Sequence, residues 1–68
     1  MAQSLDVQTD LARIRAQIPA GRERARAMRQ LAQRCIQAVG ETTDFRQKHD
    51  LALMARHVQR LADNERHR

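Results

Sequence analysis

The sequence predicts an all-α fold: a small three-helix bundle in which helix 2 and helix 3 form an antiparallel hairpin with helix 1 packed across it. Three observations carry that prediction. Apolar residues recur in three separate runs at spacings of three and four, as on one stripe of a helix. No segment alternates with period two or concentrates β-branched residues, which argues against strands. The connections around Pro19 to Gly21 and Gly40 to Thr43 are short enough to join antiparallel neighbours.

The 68 residues are read as a single domain, 1–68. A domain of this size buries only about 60% of the surface its unfolded chain exposes. Its apolar stock is also thin, since 11 of 28 apolar residues are alanine and Phe45 is the only aromatic. Lone Cys35 rules out an internal disulfide, and no ligand cluster suggests a structural metal, so self-association, most simply a homodimer, is the expected remedy.

Helix 1 is expected over about residues 5–17. Val7, Leu11, Ile14 and Ile18 follow at intervals of four, three and four, Ser4 offers an N-cap with Asp6 in the first turn, and Pro19 biases Ile18 out of helical geometry. Pro19 could instead open the next helix, with Gly21 inside it. Helix 2, about 22–39, has the clearest two-sided pattern. At 100° per residue Ala25, Met28, Leu31, Ala32, Cys35, Ile36 and Val39 fill one arc, and Gly40 suits the position just past a C-terminus. Helix 3, about 44–64, follows the capping side chains Thr42, Thr43 and Asp44, with Asp44 and Gln47 approximating a capping box. Leu51, Met54, Val58 and Leu61 form its main face at coiled-coil spacing. Phe45, Ala52 and Leu53 fall off that face, leaving a second apolar surface to cover helix 1, meet another subunit or receive a target. Residues 65–68 read as a frayed tail.

Charge is the other organised feature. Residues 22–34 hold five arginines against one acid, +4 of the net +5. Arg22, Arg26, Arg29 and Gln33 fall within roughly 60° of one another, opposite the apolar arc. Cations in the first turn oppose the helix dipole, and Arg22 and Arg26 repel at i, i+4. Free N–H groups at that end, together with guanidinium forks, would suit a phosphate or a carboxylate cluster. The bland alternative is a solvated arginine-rich face.

Other chemistries find little support. Placed as a helix-turn-helix with Gly40 at the turn, residues 32–51 put Ile36 where a small residue belongs, and Glu41 and Arg46 where apolar ones belong. Without tryptophan or tyrosine there is no stacking platform for single strands, so nucleic acid rests on charge alone. His49 and His57 lack an i+4 ligand partner, and Asp63 with His67 has that spacing only at the frayed end, so no metal is expected. Cys35 sits mid-arc, where a small hydrophobe belongs. No phosphate loop, serine elbow or carboxylate pair points to an enzyme or cofactor. The N-terminus lacks a signal-peptide pattern, and no run of 18 apolar residues occurs, so no membrane role is expected and the location reads as cytoplasmic.

What remains is a non-enzymatic interaction module, an adaptor, inhibitor or regulatory subunit. It would dock on a larger protein's acidic surface through Arg22, Arg26, Arg29 and Gln33, with Phe45 and Leu53 as apolar interface anchors. The alternative is a nucleic-acid-binding accessory protein using the same stripe on phosphates.

Overall fold

A computed structural model describes residues 6 to 66 as α1 (Val7–Gln17), α2 (Arg22–Glu41) and α3 (Phe45–Arg66). The described residues form an all-α bundle without strands, in which α2 and α3 pack along their length and α1 lies against α2. The core is the predicted apolar arc of α2 meeting the predicted main face of α3. Met28, Leu31 and Cys35 interdigitate with Val58 and Ala62, and Val7, Leu11 and Ile14 of α1 close one side.

The ends of the helices depart from the sequence reading in instructive ways. Asp6, rather than Ser4, which lies outside the described residues, caps α1. Its carboxylate accepts from the Thr9 amide at 3.1 Å and from the Thr9 hydroxyl at 2.7 Å. Those bonds favour the ionised form and hold the Asp6 carboxyl below its usual range, the hydroxyl contributing most. Gly21 is the residue before α2, not part of it, with φ 137°, a conformation only glycine adopts without strain. Pro19 therefore belongs to the connection.

Gly40 does not stop α2. The helix continues through it to Glu41, and Thr42 is the extended C-cap, its amide donating to the Ala38 carbonyl. Exit from the helix needs no left-handed residue when the cap is simply extended, so the glycine signal misleads. Asp44 caps α3 as predicted by accepting from the Arg46 amide at 3.0 Å. Gln47 does not complete a box with it but accepts from the Thr42 hydroxyl at 3.1 Å, tying the connection down.

The largest difference lies at residues 65 and 66, which continue α3 instead of fraying. Glu65 is half-buried and reaches the start of α2: one carboxylate oxygen accepts from the Gly21 amide at 3.1 Å and the other faces Arg24 at 3.4 Å. Arg24 also donates to the carbonyls of Ile18, at 2.8 Å, and Arg15, at 3.0 Å, at the end of α1. One ion pair thus joins the end of α1, the start of α2 and the end of α3. It answers the dipoles as well, with an anion at a helix N-terminus and a cation at a helix C-terminus.

Candidate functional site

The arginines of α2 separate by helical angle. Arg24 and Arg34 project to the side that α1 covers: Arg24 into the clamp just described, Arg34 to Asp10 of α1 at 3.7 Å. Arg22, Arg26 and Arg29 project to the other side, where together with Ala25 they line a shallow depression. The predicted stripe is therefore real in three dimensions, although its members are not equivalent. Arg29 is half-buried and ion-paired with Asp63 of α3 at 3.8 Å, its Nε buried with no acceptor among the described residues. Arg22 and Arg26 are exposed and enter no ion pair among the described residues. Gln33 is exposed on the same stripe but does not line the depression.

One backbone donor of the expected anion site is already taken. Glu65 occupies the N-terminus of α2 from within the chain, so the Gly21 N–H is not offered to an external phosphate or carboxylate. Arg24, which the dipole should penalise, is compensated by Glu65 and two carbonyls. What the exposed flank offers a partner is side-chain charge.

Phe45 and Leu53 are 85% and 51% exposed, so neither covers α1. They also do not join the arginines in one patch. Phe45 begins α3 at the connection, while Arg22 begins α2 at the opposite end of the antiparallel hairpin, about 28 Å away at 1.5 Å per residue. Leu53 is turned about 80° from Phe45 around α3 at 100° per residue.

Between these ends lies a feature the sequence reading missed. On the flank of the hairpin that α1 leaves open, Ile36 and Val39 of α2 and Ala52 and Ala55 of α3 line an apolar groove of about 560 Å³, edged by Arg56, Gln59, Arg60 and Asp63. Ile36, placed in the core by its angle, is 57% exposed and belongs to this wall. Asp63 borders the groove and Arg29 borders the arginine depression, so their ion pair lies where the two adjoin, and groove and depression together are called the trough below. The trough carries five arginines, 22, 26, 29, 56 and 60, against a single acid, Asp63. Its signal in the sequence is the seven-residue spacing of Phe45, Ala52 and Gln59 beside that of Arg22, Arg29 and Ile36, which marks facing flanks and not merely leftover residues.

Cys35 is fully buried, and burial pushes its thiol pKa upward, the direction opposite to that of a reactive thiolate. Among the described residues no three His, Cys, Asp or Glu side chains converge on a point that could hold a metal. No helix is long and apolar enough to cross a membrane. No protein-family model, curated protein or solved structure matches the chain.

Proposed function

We propose that this protein is a non-enzymatic docking module that binds an acidic surface of a larger protein through the open flank of its α2–α3 hairpin. The observation that supports this reading most is the division of labour among identical residues. Arg24 and Arg34 make their bonds inside the chain, whereas Arg22 and Arg26 are exposed, repel each other at i, i+4 and enter no ion pair among the described residues. Arginine combines a permanent charge with a fork that matches carboxylates, and it is enriched at interface hot spots. An adjoining apolar groove gives such a contact a surface to desolvate.

Arg22→Ala/Arg26→Ala is the cleanest test, because Arg29 is already engaged with Asp63 and its loss would mix folding with binding. A pull-down from source lysate with wild-type and variant baits should show one protein lost from the variant lane, acidic in its contact region. The same proteins on both baits would contradict the reading. Since the chain has no tryptophan or tyrosine, co-purifying nucleic acid would dominate its ultraviolet spectrum at 260 nm, and such a signal lost with the double variant would favour phosphate binding instead.

A further inference from the structure

We infer that the trough receives an amphipathic, acidic α-helix of the partner, lying along the α2–α3 seam with its apolar stripe in the groove and its carboxylates against the flanking arginines. This rests on the docking reading above and specifies its occupant. Three features of the trough converge on it. Its apolar part runs between two antiparallel helices along Ala52 to Asp63 of α3, about 16 Å at 1.5 Å per residue, the length of a helix of about three turns, and Arg22 and Arg26 of α2 lie beyond its end. Strand addition would need an exposed strand edge, and none exists among the described residues; a helix brings its own backbone bonds satisfied and needs only a groove. Ala52 and Ala55 lie across from Ile36 and Val39, so the α3 wall is low and leaves room for leucine-sized side chains entering at i, i+3 or i+4, and i+7.

Charge selects the sign of that helix. Arg56 and Arg60 edge the apolar part, and Arg26 and Arg22 continue the same sign along the trough, with Asp63 already engaged by Arg29. Acids flanking the apolar stripe of the incoming helix would find Arg56 and Arg60 along the α3 edge and Arg22 and Arg26 beyond its end on α2. A second copy of this chain fits poorly, because a two-fold pairing of the same face sets arginines against arginines.

The test is fluorescence anisotropy with an 18-residue fluorescein-labelled peptide carrying leucines on one helical stripe and glutamates on its flanks, beside a scramble of identical composition. The patterned peptide should bind about tenfold or more tightly than the scramble, the margin coming from its apolar stripe. Ala52→Trp, which fills the groove from an exposed position, should remove that margin while leaving circular dichroism and thermal unfolding unchanged. Ile36→Glu should do the same from the opposite wall. Equal binding of both peptides, lost in Arg22→Ala/Arg26→Ala, would overturn the helix inference and leave the charge-based docking reading standing. No binding of either peptide by a monomeric domain would overturn the inference, with the pull-down then judging the docking reading separately. A dimer in light scattering that Ala52→Trp dissociates would assign the groove to a second copy, and tighter binding of a DNA duplex, insensitive to Ala52→Trp, would assign the arginines to phosphate. Either result overturns the proposal.

Discussion

The two flanks of α2 carry the same residue type and use it in opposite ways. On the flank under α1, Arg24 is largely shielded from solvent and spends its donors on Glu65 and two backbone carbonyls, and Arg34 reaches Asp10. On the open flank Arg22 and Arg26 are exposed and enter no ion pair among the described residues. The difference teaches that an arginine cluster is not one functional object. A rotation of 160° or more about the helix, such as separates Arg24 from Arg22 and from Arg26 at 100° per residue, turns a binding candidate into a structural clamp.

The comparison breaks most readily at the clamp. Either Arg24→Ala or Glu65→Ala leaves the opposite charge, only 15–17% exposed, without its partner, and each should cost about 2 to 3 kcal/mol in urea unfolding, below the range for fully buried pairs because some solvent reaches the site. A cost near that of a surface pair would mean that the clamp is ornamental. Next in size is a contrast along α2. Gly21→Ala forces alanine into a φ of 137° and should destabilise by about 1 to 2 kcal/mol although a Cβ there meets no atom. Gly40→Ala, in a helical and open position, should stabilise by about 0.5 to 1 kcal/mol. Equal signs for the two glycines would contradict the assignment of α2 to Arg22–Glu41.

Smaller effects sharpen the picture. The exposed Arg34 pair should contribute no more than about 0.5 kcal/mol in an Arg34, Asp10 double-mutant cycle, which keeps Arg24 as the dominant member of the covered flank. Asp6 has a lowered carboxyl pKa in the folded chain, so its stabilisation is fully present above the unfolded carboxylate pKa and is lost as pH falls through the lower folded one. Asp6→Ala should therefore flatten the acid limb of a melting-temperature profile slightly; an unchanged limb would remove the cap from the account.

Much of the fold was legible in the sequence because apolar spacing reports which residues face a core regardless of what covers them. Met28, Leu31, Cys35 and Val58 are buried where their angles place them. Helix ends were less legible, since Gly40 and Asp6 each satisfy more than one capping pattern and only the path of the following chain decides between them. The clamp was hidden for a stronger reason. Glu65 and Arg24 are 41 residues apart, and nothing local distinguishes Glu65 from a solvated acid near the end of a helix. The arginine stripe was visible by periodicity, but its continuation into a groove depended on which flank α1 chose to cover.

The central claim is that Arg22 and Arg26 serve binding and not folding, and its most direct test is one anisotropy titration of the patterned acidic peptide on two variants of equal net charge. Arg22→Ala/Arg26→Ala removes two arginines from the open flank; Arg13→Ala/Arg34→Ala removes two from the α1 side. The account predicts an affinity loss of about tenfold for the first variant and little change for the second. Equal losses would show that the peptide senses only overall charge and would contradict the division between the two flanks.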